Sequence, residues 1–373
     1  MDRTDTTVAR LWLEHFRAIE TADIELGTGL TVFIGANAQG KTSLLESIAW
    51  IARGRSFRGV SDQVLVGRDH DCAIVRADVV EGARRQRFEA EIRSAGRNRV
   101  MLNGSSISRR RDLETLLRVS VFAPDDLDLV KGGPASRRDY LDDLLAALAL
   151  RYDAARSDFE RIVKHRNALL RAGIRDDTDR ATLEVFDEQL VVAGSEVVRG
   201  RLRLVDQLRP RVTEAYDELA GVGLPIGIVY RAEWHEGPVD SDDLEELQRA
   251  LRDSLVRLAR KEVERRVTLV GPHRDELELR VCDLDARTHA SQGEQRTLAL
   301  ALRLAGHRLV AEITGSTPVL LLDDVFSELD DHRASALVER LPPGQTLLTT
   351  AGSLPVGMVV EQLLRVEAGK VLR

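Results

Sequence analysis

Residues 35–42 read Gly-Ala-Asn-Ala-Gln-Gly-Lys-Thr, between the apolar pentapeptide Leu30-Thr31-Val32-Phe33-Ile34 and an apolar run from about Lys41 to Ile51. Few short patterns restrict a fold as tightly. The two glycines let backbone N–H groups wrap an anion, and a helix starting there turns its positive end to the same point. The lysine reaches the outer phosphates of a nucleotide, and the next hydroxyl takes one position on Mg2+. The flanks therefore predict strand, loop, helix within an α/β sheet. Gly35, Ala36, Asn37, Ala38, Gln39, Gly40, Lys41, Thr42 and Ser43 are the candidate contacts to ATP and Mg2+.

A second apolar strand, Pro318-Val319-Leu320-Leu321-Leu322, ends in Asp323 and Asp324. Asp323 is expected to share Mg2+ with Thr42, through water because that ion gives up hydration reluctantly. Asp324 is expected to orient and deprotonate the attacking water, which makes Lys41 and Asp324 the candidate catalytic residues. Ser291-Gln292-Gly293-Glu294-Gln295-Arg296 opens an apolar helix, with Arg296 27 residues before Asp323. Alone it would be an ordinary helix cap. Beside a phosphate loop, this second anion site makes sense if it meets the triphosphate held by another copy. Val325-Phe326-Ser327-Glu328-Leu329-Asp330 follows directly, and Ser327 and Asp330 are expected to couple the two sites of such a pair. This order of motifs is that of ATPases that sandwich ATP between two heads.

Composition narrows the setting. A chain of 373 residues, 43% hydrophobic and 31% charged, is large enough for a core domain with a second lobe. No apolar run approaches the roughly 18 residues of a membrane span, and the charged start lacks the apolar stretch of a secretion signal, so a cytoplasmic location is expected. Cys72 and Cys282 form no CxxC pair, which excludes a disulfide framework or zinc finger, and both are expected to be buried. At a net charge of −7, contact with nucleic acid requires local basic patches. Arg84, Arg85, Arg97, Arg99, Arg109, Arg110 and Arg111 are the candidates, in a segment whose only acids are Glu89 and Glu91. Such arginines grip phosphates without reading bases; the competing reading is a solvated face balanced by acids elsewhere.

Along the chain, Val8 to Leu13 and Ala22 to Leu26 read as strands about a His15-Phe16-Arg17 turn. Residues 72–110 alternate as short antiparallel strands, with turns at 95–98 and at Asn103-Gly104. From Leu141 through Val163 the apolar residues follow helical steps, and a second helical pattern runs from Leu183 to Pro210 after a breaker cluster at 172–179. A further helix spans Leu244 to Leu258, and an α/β pattern resumes at Val267. The expected fold is α/β, an ABC-type P-loop ATPase head made of residues 1–135 and 263–373. Residues 136–262 insert a helical lobe with a short antiparallel helical arm. Basic residues at 151–175 are read as ordinary helix-face pairings, while His273 and Arg274 either touch nucleotide or cap their turn.

Taken together, the chain resembles the RecF family of SMC-like ABC ATPases. The resemblance rests on Phe16-Arg17, the 35–42 loop, Phe122-Ala123-Pro124, Gly132-Gly133-Pro134 with Arg137-Arg138, Gly271-Pro272-His273-Arg274, and the segments 291–296 and 320–330. It covers nearly the whole length. It implies an ATP-dependent homodimer on double-stranded DNA near single-strand gaps, acting in DNA repair, replication and recombination with RecR- and RecO-type partners to promote RecA loading. Arg17 joins the nucleotide contacts, Ser291, Gly293, Glu294 and Gln295 act in trans, and hydrolysis is slow. Two positions depart from most ABC heads. Asp324 stands where Glu is usual, and Leu347-Leu348-Thr349-Thr350-Ala351 lacks the switch histidine, with Thr350 put in its place. Residues 122–126 are the candidate for the Q-loop. A nuclease-associated ATPase and a chromosome-organising head are the rival readings. The first needs an acidic nuclease module where only 43 residues follow Asp330, and the second needs longer coils.

Overall fold

The computed structural model describes residues 4–107, 113, 116–148, 150–239 and 241–372. Arg109, Arg110 and Arg111 lie outside the described residues. The chain forms two compact units, one from residues 1–127, 215–223 and 296–373, the other from 128–214 and 224–295.

In the first unit, Leu30–Ile34 lies in a six-stranded sheet, parallel to both Thr346–Thr350 and Gln362–Glu367. Val319–Asp323 runs parallel to Thr346–Thr350 and to Val119–Phe122, and Lys370–Leu372 closes one edge antiparallel. Every residue of Val319–Asp323 and Thr346–Thr350 is buried, as strands covered on both faces require. A second sheet is mostly antiparallel: Thr4–Phe16 pairs with Ile19–Glu25 and Cys72–Glu81, followed by Arg84–Arg93, Arg99–Leu102 and Ser105–Ser106. Asn103 and Gly104 make the last hairpin with φ of 50° and 80°, the paired positive values of a tight Asn-Gly turn.

The helix Lys41–Arg53 has eleven of its thirteen residues buried. Leu44, Leu45, Ile48 and Trp50 share one core with Val8, Leu11 and Leu13 of the antiparallel sheet and Val319, Leu321 and Leu347 of the parallel one. A helix covered on all sides in this way is fixed in position. The phosphate loop at its start inherits that rigidity.

The second unit departs from the sequence reading in several places. The helix expected from Leu141 is two, Pro134–Leu148 and Leu150–Ala172; its apolar spacing keeps phase across the junction, so periodicity cannot mark the break. Leu150–Ala172 and Asp177–Ala220 form an antiparallel hairpin. A Cβ on Gly200 would fall 2.6 Å from Tyr152, one on Gly194 3.3 Å from Phe159, and Arg166 donates to Asp187. The hairpin is packed against its own unit. The buried Arg166 guanidinium also donates to Glu262 at 2.6 Å and Thr268 at 3.1 Å.

The second helix does not stop at Pro210 but continues to Ala220. An interior proline costs about 3 kcal/mol, whereas burying a large apolar side chain gains about 1.5–3 kcal/mol, and Val212, Tyr216 and Leu219 are all buried beyond it. Leu244–Arg265 likewise outruns its expected end and closes on Arg266 in the left-handed region. The strand Ile226–Arg231, interrupted by Gly227 and absent from the sequence reading, pairs antiparallel with Glu276–Val281. The expectation for the cysteines fails. Cys72 is half-buried, and Cys282 is exposed at a turn where its φ is 51°.

Candidate nucleotide-binding site

The loop 35–42 has the conformation its residue types anticipate. A Cβ on Gly35 would lie 2.2 Å from the carbonyl oxygen of Val366, and Gly40 has φ of 101°, so neither position accepts a side chain without rearrangement. Gln39 is tied to the backbone at 368–369. Its side-chain oxygen accepts from the N–H of Ala368 and its carbonyl from that of Gly369 at 3.1 Å, bracing the loop from the following hairpin. Lys41 is buried and donates to the carbonyls of Gly35 at 2.7 Å and Ala36 at 2.8 Å. Burial lowers its ammonium pKa, opposed by the charges of Asp324 and Asp323.

Thr42 Oγ1 donates to Asp323 Oδ1 at 2.8 Å, and Thr349 Oγ1 donates to the same oxygen at 2.7 Å. Burial raises the Asp323 carboxyl above its ordinary pKa, against the lowering effect of those two hydroxyls. Asp324 has φ of 48°, and its N–H is held by the carbonyl of Thr349 at 3.1 Å and by its hydroxyl at 3.0 Å. Asp324 Oδ1 is buried and has no hydrogen-bond partner among the described residues. A buried carboxylate oxygen without a donor is costly. A hydrated divalent cation held by Thr42 and Asp323, or a water beside it, satisfies that oxygen, so the residues fit Mg2+. The open cleft lined by Thr42, Asp324 and Thr349 is about 650 Å3, within the usual range for small-molecule sites. Arg17, Arg58 and Arg68 line it with Lys41, which suits a polyanion such as a nucleoside triphosphate.

Arg17 is fixed beside the cleft. Its N–H donates to the carbonyl of Leu65 at 2.8 Å and its guanidinium forms a two-pronged pair with the fully buried Glu46, which also accepts from Ser56. Glu46, Arg58 and Arg68 were not found from sequence, since each lies on an unremarkable stretch and is brought in by folding. Thr349, not Thr350, faces the carboxylates; the Thr350 hydroxyl instead accepts from Gly352 N–H at 3.1 Å. Replacing Thr349 by Val is expected to slow ATP hydrolysis about tenfold by freeing the Asp323 carboxylate, and by Ser to restore it. Phosphate-release kinetics at saturating ATP decide this; equal loss in both variants would reduce Thr349 to a packing role.

The remaining candidates are placed as follows. In the second unit, Ser291 N–H donates to Glu294 Oε2 at 2.7 Å and Glu294 N–H to Ser291 Oγ at 3.3 Å, a reciprocal capping box at the start of Gln292–Thr314. Ser291 is exposed there, and Gly293 is half-buried. Gln295 is buried and donates to the carbonyls of Ala286 and Arg287. In the first unit, Ser327 Oγ donates to the carbonyl of Asp324 at 2.8 Å, while Asp330 caps Asp331–Glu339 and pairs with Arg333. Residues 122–126 hold no glutamine; Asp126 there accepts from Ala123 N–H and from Arg303.

Of the basic segment, Arg84, Arg85, Arg97 and Arg99 are exposed and make no ion pair among the described residues. Arg87 and Arg93 are paired with Asp78 and Glu91. Arg84 and Arg85 begin Arg84–Arg93, whereas Arg97 lies in the turn past its far end and Arg99 sits opposite Glu91 near that end, more than about 20 Å away at the rise of a strand. On the helix Leu150–Ala172, Arg156 and Arg161 pair with Asp153 and Asp158. His273 and Arg274 bind the carbonyl of Thr268 and so cap their own turn, where burial drives the imidazole pKa down to about 4.

A phosphate loop on a covered helix, a paired threonine and aspartate, and an adjacent aspartate whose buried Oδ1 has no partner among the described residues define the head of an SMC-like ABC-type ATPase. The family described as RecF/RecN/SMC N terminal domain matches residues 7–351. A DNA replication and repair protein RecF from Streptomyces avermitilis is 42% identical, covering 92% of this chain and 93% of the relative. One from Frankia alni is 42% identical over 98% of this chain and 99% of its own. A solved structure of the recombination mediator protein RecF with ATP in the RecFOR pathway superposes with a TM-score of 0.90 at 28% identity, covering 99% of both chains. The chain belongs to the RecF family.

Proposed function

We propose that the chain is an ATP-dependent DNA-binding protein of recombinational repair and replication. ATP joins two heads, the dimer holds double-stranded DNA near single-strand gaps, and slow hydrolysis releases it. With RecO- and RecR-type partners it promotes RecA loading in the cytoplasm. Residues 1–135 and 263–373 carry the head functions and 136–262 the helical lobe. Lys41, Thr42, Asp323 and Asp324 act in cis, while Ser291, Gly293, Glu294 and Gln295 approach the partner's triphosphate and Ser327 and Asp330 couple the two sites. Arg84, Arg85, Arg97, Arg99, Arg109, Arg110 and Arg111 contribute phosphate contacts, so affinity for DNA falls steeply with salt.

The observation that carries this reading is the orphaned Asp324 oxygen beside the Thr42–Asp323 pair, a base poised over a phosphate loop. The ATP-bound relative and the names of the curated relatives support the rest. The test is light scattering of the purified chain with and without Mg-ATP, on gapped and intact duplexes. A dimer that forms only with ATP and is retained longer on the gapped duplex is expected. A chain that stays monomeric with ATP, hydrolyses it at many turnovers per second or cuts the DNA would overturn the reading.

A further inference from the structure

Beside the cleft, but outside the residues that hold nucleotide, two histidines and a glutamate converge. His15 and His70 stack with ring centroids 3.6 Å apart and planes inclined by 14°. Glu20 reaches both, with Oε1 3.2 Å from His15 Nδ1 and Oε2 3.7 Å from His70 Nε2. One ligand atom from each lies within 4.8 Å of the others. From these positions we propose that His15, Glu20 and His70 form a binding site for a divalent transition metal of the zinc class.

The distances suit that ion. Bonds of about 2.0–2.2 Å in a tetrahedral site put neighbouring ligand atoms roughly 3.3–3.5 Å apart; each histidine stands near that spacing from one of the two Glu20 oxygens. The rings stand nearly parallel, so binding one ion through both lone pairs requires one imidazole to turn about its Cβ–Cγ bond. His15 Nδ1 is buried and makes no hydrogen bond among the described residues, although a carboxylate oxygen stands 3.2 Å away, so this nitrogen lacks the partner that a metal ion would supply. Two imidazoles and one carboxylate are the ligand set of many zinc sites, with water completing the fourth position. The nitrogen-rich set disfavours Mg2+ and Ca2+, which take oxygen.

The backbone is arranged to present these groups. His15 holds a φ of 53° at the end of Thr4–Phe16, a left-handed conformation that a non-glycine residue adopts only where its surroundings impose it. Its carbonyl accepts from Gly67 N–H at 2.7 Å, and Phe16 bridges Val66 antiparallel. The site thus joins two segments, 15–20 and 66–70. Arg17 on one, and Val66 and Arg68 on the other, line the nucleotide cleft. A bound metal would staple these segments together and limit the freedom of both cleft-lining arginines.

The experiment titrates Zn2+, and separately Co2+, into the full chain freed of metal by chelation and kept in excess Mg2+ so that the Thr42–Asp323 position is occupied by its own ion. The expected result is one ion per chain, an intense visible Co2+ absorption of tetrahedral type, and an unfolding midpoint raised by ~3 °C or more once Zn2+ is in hundredfold excess over its Kd. His15→Gln and His70→Gln should each abolish the absorption and the shift. His70 has ordinary backbone geometry, so its variant remains informative if the His15 variant folds poorly. No stoichiometric uptake by the wild-type chain, or uptake unchanged in H70Q, would overturn the assignment.

Discussion

Replacing Asp324 by Asn is expected to lock two chains together on ATP. The substitution preserves nearly everything except basicity. At φ 48° the position sits in the left-handed region, which Asn tolerates as well as Asp, and the bonds to Thr349 use the N–H of residue 324 and not its side chain. What is lost is the carboxylate oxygen that has no partner of its own and is free to take a proton from water. Loss of a general base lowers rates by about 10²–10⁴-fold. Lys41, Thr42 and Asp323 remain, so nucleotide should still bind. Phosphate release should therefore collapse while light scattering at saturating ATP reports a long-lived dimer. A D324N chain that stays monomeric under those conditions would refute the two-head sandwich, and one that hydrolyses at the wild-type rate would remove Asp324 from its role as base.

Much of this site is legible in the sequence, because its parts are local. The loop 35–42 carries glycines where backbone must approach backbone, and the flanking apolar runs declare a buried strand and helix. Asp323 and Asp324 follow from the end of a wholly apolar strand. Thr349 was missed for a different reason. Thr346–Thr350 is buried along its whole length, so alternation does not say which threonine faces the carboxylates. That is settled by register, which sets Thr349 opposite Asp323. Pro210 does not end its helix, because the apolar side chains buried beyond it outweigh local propensity. The basic segment shows the same limit. A count of arginines cannot reveal that Arg87 lies across from Asp78 on the neighbouring strand, which neutralises it and leaves the free arginines at two separated ends. His15, Glu20 and His70 had no spacing to mark them, since the Phe16–Val66 bridge that brings their segments together is a tertiary event.

The sharpest consequence of a two-fold sandwich concerns mixtures of defective chains. Lys41→Met removes the charge that sits among the phosphate-loop carbonyls, and that chain should neither bind ATP nor stay on DNA. Ser291→Arg destroys the exposed hydroxyl and its capping box at the tip of Gln292–Thr314, and puts a bulky side chain where the partner's triphosphate is to be met. Each chain alone should lose at least about 100-fold in hydrolysis, the usual cost of removing a transition-state contact. In a mixed dimer the two lesions fall on the same composite site and the other site is intact. Because a two-fold interface gives every site one cis and one trans half, an equal mixture should recover about a quarter of wild-type activity: half the dimers are mixed, each with one working site of two. The recovery must grow with the square of concentration at low protein, since pairing is required. If the mixture shows no more hydrolysis than its two components measured separately, while S291R still binds ATP and folds as judged by circular dichroism, then either the serine tip does not act in trans or a single intact site cannot fire alone. Repeating the mixture with Asp324→Asn in place of Lys41→Met separates those outcomes. That pairing keeps ATP in both pockets, so it should recover activity where two bound nucleotides are needed to close the dimer, and stay silent where the serine belongs to its own head.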